Sequence, residues 1–267
     1  MNLGGLILYP ASIAAGYSAC VFSLVKEAGK IVKSELVEKL EFLDEKNFNR
    51  DDYIDDLEKA QKKLEKSLDV DKAMIAGCVL LFGKKIMKFS KKQIKKSLKK
   101  IRKQTEEEKK DLDQILKSYV SSNAESIRLL RKTIADKSID KIKEGFRSGD
   151  SISKIKKDIL DTIEATQNYS KLSAKNSIVK FHSVLLKYDL QKLGYTEYVW
   201  VTMEDDRVRK SHEVLNQKIV SWGDVSLYKN QGDQKWKKKS SIGGVLKQVG
   251  EDYNCRCGFK PVLEPEQ

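Results

Sequence analysis

Proline is almost absent from this 267-residue chain: three residues, two of them in the last seven. With abundant Lys, Leu, Ile and Glu, that scarcity implies a mainly helical body. Histidine is nearly as rare, at His182 and His212, which excludes a histidine-rich metal cage. There is no Gly-rich phosphate loop, no HExxH and no strong nucleophile constellation, so the chain reads as non-enzymatic. Four cysteines, Cys20, Cys78, Cys255 and Cys257, are too few for a disulfide framework at this length. A reducing compartment is the expectation, with Cys20 and Cys78 as packed thiols in apolar surroundings. Acidic balance is lacking too. The net charge of +13 calls for an acidic partner: nucleic acid, an anionic membrane face or an acidic protein.

Charge is also missing from Leu3 to Val25, a stretch long enough to span a bilayer. Gly4, Gly5, Pro10 and Gly16 dilute its hydrophobicity, and no Lys or Arg precedes it as a secretory signal requires. A buried or partner-facing segment is expected, with membrane contact of residues 3–25 as the alternative.

What is present is helical periodicity. Apolar residues at 32, 36, 37, 40 and 43, and then at Tyr53, Ile54, Leu57, Leu64 and Leu68, mark two helices separated by a break near Asn47–Asp52. A second break is read at Asp69-Val70-Asp71, and Ala73–Phe82 reads as an apolar core helix. From Lys84 to Lys103 come eleven basic residues and no acidic one, with Ile94, Leu98 and Ile101 as a narrow seam. Lys91, Lys92, Lys95, Lys96, Lys99, Lys100, Arg102 and Lys103 are the candidates for contact with nucleic acid or an acidic partner; the alternatives are a solvated face or an anionic membrane. No aromatic interleaving supports single-strand stacking. One long helix, or a hairpin of two, fits Lys84–Tyr119, and Ser121–Lys143 continues as helix. Gly145, Gly149, Asp150 and Ser151 end one helix and cap the next. After a break at Gln167-Asn168, a long helix runs to Gly194, with His182 in its apolar stripe as a core histidine.

Past Gly194 the period changes from helix to strand. Tyr195–Val201, Ile219–Trp222 and Cys255–Val262 are expected strands, with a short helix in Asp205–Asn216. The fold class is therefore α+β: a mainly helical, basic N-terminal region over residues 1–144, then a small α+β C-terminal domain with a short sheet over 145–267. No internal repeat is present.

The reactive residues gather between Tyr198 and Cys257. Helical spacing stacks Val208, His212 and Leu215, and pairs Arg209 with Glu213. Cys255 and Cys257, two apart on an extended segment, point to the same side. Three readings are open. In a structural scaffold, Arg207 or Arg209 bonds carboxylates or loop carbonyls and His212 braces the sheet. In a Zn2+ site, His212, Cys255 and Cys257 are ligands and Asp205, Asp206 or His182 supplies the fourth. In a hydrolytic site, His212 is the base and Arg207 holds an anion. A disulfide inside Cys255-Arg256-Cys257 would be strained.

Trp200-Val201-Thr202, then Asp206-Arg207-Val208-Arg209, His212, Leu215-Asn216 and Gly250-Glu251-Asp252-Tyr253-Asn254-Cys255-Arg256-Cys257 together resemble the phage Mu F-like minor head, or head-morphogenesis, proteins. The resemblance covers roughly residues 145–261. Two positions depart from the family pattern: Gln217 stands where Gly is usual, and Val249 where Pro is usual. The resemblance implies a minor capsid component of a tailed phage or prophage. Such proteins associate with the portal, other capsid proteins and the head interior, and assist assembly, DNA packaging or delivery. The expected location is the virion, with the host cytoplasm during assembly. It also makes Trp200, Asp206, Arg207, Arg209, His212, Cys255, Arg256 and Cys257 the structural core of the motif. The family domain also occurs fused to toxic domains, so the rival reading is a secreted or membrane-engaging effector acting on nucleic acid or a host protein. With Cys257 ten residues from the end, no C-terminal effector domain is expected.

Overall fold

The computed structural model describes residues 2–43, 50–69, 72–98 and 102–263. The breaks read near Asn47 and at Val70-Asp71, and the candidates Lys99, Lys100 and Ile101, lie outside the described residues. In chain order come β1 (Asn2–Leu3), α1 (Ala11–Val32), a π-turn (Lys33–Val37), α2 (Glu38–Leu43), α3 (Arg50–Asp69), α4 (Lys72–Ser97), α5 (Glu106–Arg147) and α6 (Ile152–Lys192). There follow β2 (Glu197–Val201), α7 (Lys210–Glu213), β3 (Ile219–Ser221), β4 (Leu227–Lys229), β5 (Lys237–Lys238), a 3-10 turn (Lys239–Ile242) and β6 (Gly258–Leu263). The fold is α+β, as expected. Among the described residues no helix is long and apolar enough to cross a membrane.

Two compact units form. One comprises residues 1–15, 82–117 and 175–267; the other comprises 16–81 and 118–174. A linear division at 144/145 does not follow these units: it falls at the α5–α6 turn, inside the second. Long helices are the reason, since α4, α5 and α6 each begin in one unit and end in the other.

In the second unit, the α5–α6 turn matches its sequence signal. Gly149 takes φ 71°, the Asp150 N–H donates to Gly145 O at 2.8 Å, and Ser151 Oγ caps the Lys154 N–H. Gly145 has a packing reason, because a Cβ there would lie 2.4 Å from Ile155 Cγ1. Cys20 and Cys78 are not packed thiols: they are joined by a disulfide across α1 and α4, with Cα atoms 6.8 Å apart. Their apolar settings hid the pairing, since burial looks alike for a thiol and a half-cystine. The expected break at Gln167-Asn168 is absent; α6 runs through it.

In the first unit, six antiparallel strands form one sheet in the order β1-β6-β2-β3-β4-β5. β2 sits between β6 and β3, with Trp200 opposite Phe259 and Tyr198 opposite Val220. Tyr198, Trp200, Val220, Trp222 and Phe259 are buried with Ile94 and Leu98 of α4's end and Leu186 and Leu190 of α6. Gly194, at φ 87°, ends α6, and the Tyr195 N–H closes the cap on Leu190 O. Part of the apolar N-terminus is a sheet edge. Asn2 and Leu3 pair with Leu263 and Val262, and Ile7 bridges Phe259. Gly258 allows this, since its Cβ would stand 2.6 Å from Ile7 O.

α4 and α5 are separate helices. α5 begins with a reciprocal capping box: the Glu108 N–H donates to Thr105 Oγ1 at 3.2 Å and the Thr105 N–H to Glu108 Oε2 at 2.9 Å.

Candidate functional site: a His-Cys-Cys cluster under the sheet

The cluster is built from two short segments. After β2 the chain turns through Glu204, at φ 55°, and reaches α7, where the His212 N–H bonds Arg209 O at 2.8 Å. The second segment, residues 250–257, bends at Gly250 (φ 82°) and Asn254 (φ 54°) before entering β6. The Asn254 N–H is held by Asn176 Oδ1 at 2.6 Å, anchoring this bend to α6. Extended backbone then alternates the side chains of Cys255-Arg256-Cys257. Both sulfurs turn inward and Arg256 turns away.

Inside, His212 Nδ1 lies 3.8 Å from Cys255 Sγ and 3.5 Å from Cys257 Sγ. All three residues are buried. The other ring nitrogen, Nε2, is 3.0 Å from Asp252 Oδ2. Asp252 also accepts from Arg209 Nη1 at 2.6 Å and Lys247 Nζ at 2.7 Å. Trp200, fully buried, sets its ring edge-to-face against the imidazole, with centroids 5.5 Å apart. Its indole N–H is buried without a well-formed hydrogen bond and lies beside the Cys257 sulfur.

The electrostatics follow from this geometry. Burial opposes charge on His212, but the hydrogen bonds to Cys255 and Asp252 outweigh it and raise the pKa. The Cys257 hydrogen bond and the nearby imidazole draw Cys255 down to about 5, while sharing a proton with Cys255 and burial push Cys257 up. Burial would raise the Asp252 carboxyl, yet hydrogen bonds from Lys247, His212 and the Tyr253 backbone hold it well below the usual carboxylate range.

Around this centre the remaining motif residues act as braces. Arg256 makes a two-pronged pair with Asp205, at 2.8 and 2.6 Å, and Arg207 joins Asp205 at 3.2 Å. The Asp205 pKa falls to about 2, first through Arg256. Arg209 does not pair with Glu213; it reaches Asp252 and Tyr253 O instead. Asp252 is more enclosed than a surface glutamate, so the longer-range pair is stronger. Asp206 is exposed. The proposed fourth ligands do not join the cluster: Asp205 is taken by the arginines, and His182 Nδ1 bonds Ser90 Oγ at 2.7 Å. Burial lowers the His182 pKa to about 4, as befits a neutral core histidine. Among the described residues, His212, Cys255 and Cys257 alone form a metal-competent group.

Asp252 carries no signal in the sequence beyond its place in the motif, and Lys247 and Gln248 carry none. Tyr198 OH donates to Gln248 Oε1 at 2.8 Å and accepts from the Val249 N–H at 3.2 Å. A Pro at 249 would lack that N–H.

The basic candidates on α4 are exposed: Lys91, Lys92, Lys95 and Lys96 face outward, while Ile94 and Leu98 are buried. Lys103 is exposed as well. Arg102 is engaged, gripping Glu108 at 2.9 and 2.5 Å. Lys91, Lys95, Lys103, Lys109 and Lys192 line a cleft of about 760 Å³, with Glu108 and Asp189 as its acidic members.

Residues 136–260 match the model of the Phage Mu protein F like protein family. A Haemophilus influenzae protein named only as uncharacterized is 20% identical over 154 residues, covering 58% of this chain and 31% of that protein. The matched stretch is thus less than a third of the relative's length. No solved structure matches the chain. The match begins near the end of α5 and takes in α6, α7 and β2 to β5, the first half of β6 and the whole His-Cys-Cys cluster. Residues 136–260 are thus similar to the phage Mu protein F like family.

Proposed function

We propose that this chain is a minor head-morphogenesis component of a tailed phage or prophage. In this reading it associates with the portal and other capsid proteins at the head interior and assists assembly, DNA packaging or delivery. The observation that carries the reading is the phage Mu F-like match over 136–260, which spans the braced cluster from end to end. The lysine face of α4 supplies the contact with packaged DNA or an acidic capsid surface. Lys91, Lys92, Lys95 and Lys96 are exposed, and Lys91 and Lys95 border a cleft in which cations outnumber carboxylates.

The test is co-expression with the portal and major capsid proteins of the phage or prophage that carries it, followed by gradient sedimentation. The chain is expected to travel with the assembled particles; a chain that stays at the top of the gradient while particles form refutes the reading. For the DNA contact, affinity for a duplex is measured against salt. Each phosphate contact adds about 0.9 to the slope of log affinity on log salt. Replacing the four lysines with Ala should therefore flatten the slope by up to about 3.6. An unchanged slope assigns this face to a protein surface instead.

A further inference from the structure

We propose that His212, Cys255 and Cys257 bind one zinc ion through Nδ1 and the two sulfurs, with Asp252 orienting the imidazole. The inference is independent of head assembly and rests on three features of the cluster.

The first is spacing. Zinc bonds of about 2.05 Å to nitrogen and about 2.3 Å to sulfur, at tetrahedral angles, set nitrogen and sulfur about 3.6 Å apart. The two separations present are 3.5 and 3.8 Å. Both nitrogen–sulfur separations thus match a shared zinc ion, and all three ligand atoms lie within 4.8 Å of one another.

The second is the tautomer. Nε2 faces the Asp252 carboxylate at 3.0 Å, so the proton sits there and Nδ1 presents a lone pair to both sulfurs. Hydrogen bonding makes poor use of this arrangement, because two thiols would share one acceptor. A metal ion uses all three atoms. A carboxylate on the far nitrogen is also what fixes a ligating histidine and raises its basicity.

The third is charge. A divalent ion, two thiolates and a neutral imidazole sum to zero, which suits a buried site. The Asp252 charge is separately met by Arg209 and Lys247. Burial of the Trp200 indole N–H beside Cys257 adds a donor positioned for a thiolate sulfur. Two thiolates and an imidazole select zinc over magnesium or calcium, which take oxygen ligands.

Bound this way, the ion ties α7 to the 250–257 bend and so holds together two segments about 40 residues apart in sequence.

The full chain, purified without chelator, should carry close to one zinc per chain by elemental analysis. The stripped chain titrated with Co2+ should show tetrahedral visible bands and a thiolate-to-cobalt charge-transfer band. Replacing both Cys255 and Cys257 with Ser should abolish that band. Asp252→Asn should keep it while weakening affinity roughly 10- to 100-fold. Zinc near zero in the wild-type chain, together with no charge-transfer band on Co2+ addition, overturns the proposal. So does a band that survives in the Cys255→Ser, Cys257→Ser double variant. Both decisive readings use the wild-type chain or a spectrum, so a poorly folded variant does not protect the idea.

Discussion

Replacing Gly258 with Ala tests whether the N-terminal segment is a working part of the C-terminal sheet. The new Cβ would sit 2.6 Å from Ile7 O, a backbone oxygen that cannot rotate away, and 3.4 Å from Leu6 Cδ1. Relief requires residues 6–8 to back off β6. That motion breaks the Ile7 N–H bond to Phe259 O at 2.8 Å and the Phe259 N–H bond to Ile7 O at 3.1 Å. Two such bonds are worth about 1 kcal/mol each. Ile7 is only 1% exposed, and partial withdrawal of its side chain adds about 1–2 kcal/mol. Against this, Ala restricts the unfolded chain more than Gly, returning about 0.5–1 kcal/mol. The net expectation is a loss of about 2–3 kcal/mol, read by urea unfolding. Gly223→Ala is the control, because its Cβ would meet only Ser221 Oγ at 3.6 Å, and it should change stability by less than about 0.5 kcal/mol. If clash with Ile7 is the mechanism, Ile7→Ala and Gly258→Ala should together cost less than their sum. A Gly258→Ala protein as stable as Gly223→Ala would mean that residues 2–8 do not dock on β6 in solution.

Gln217 is exposed and held at φ 59°, a region that costs a non-glycine residue about 1–2 kcal/mol. Gln217→Gly removes that strain but adds about 0.5–1 kcal/mol of unfolded-state entropy. It should raise stability by about 0.5–1 kcal/mol in thermal unfolding; a lower melting temperature would show that the turn carries no strain. Asp205, gripped by Arg256, has a folded pKa of about 2, below the roughly 3.9 of a free aspartate. A depressed carboxyl pKa contributes stability above the unfolded value and loses it as pH falls through the folded one. The stability gap between wild type and Asp205→Asn should therefore be largest above about pH 5 and close toward pH 2; a gap of equal size at both ends would remove the ion pair as its source.

The features legible in the sequence were those whose cause is local. The α5–α6 turn follows from Gly149 and Ser151, the end of α6 from Gly194, and the core strand β2 from an alternating run of aromatic and branched residues. The phage Mu F-like character and the inward pairing of Cys255 and Cys257 were legible because they depend on spacing. The capping box of Thr105 and Glu108 was equally local and was available as a Thr-x-x-Glu signal, hidden behind the more obvious change of charge sign. β1, β4 and β5 left no trace, because two or three residues carry no period. Their pairing is decided by partners elsewhere in the chain.

The choice between partners explains the remaining gap. Arg209 had two carboxylates within its reach on paper: Glu213, one helical turn away, and Asp252, 43 residues on. A local pair on an exposed helix is worth about 0.3–0.5 kcal/mol. Asp252 is different in kind. Its side chain is 15% exposed and already bound to Lys247 and His212, so an added cation acts at lower dielectric on a charge that burial would otherwise penalise. Sequence distance ranks these partners one way and burial ranks them the other. Burial exists only after α7 and the 250–257 bend have met beneath the sheet. The same logic made Asp205 look like a fourth metal ligand. It is near the cluster in sequence and in chemistry, but Arg256, turned outward by the alternation that turns the cysteines inward, claims it first. One extended tripeptide thus separates a metal-competent face from an ion-paired one, and a composition-level reading of the same residues merges them.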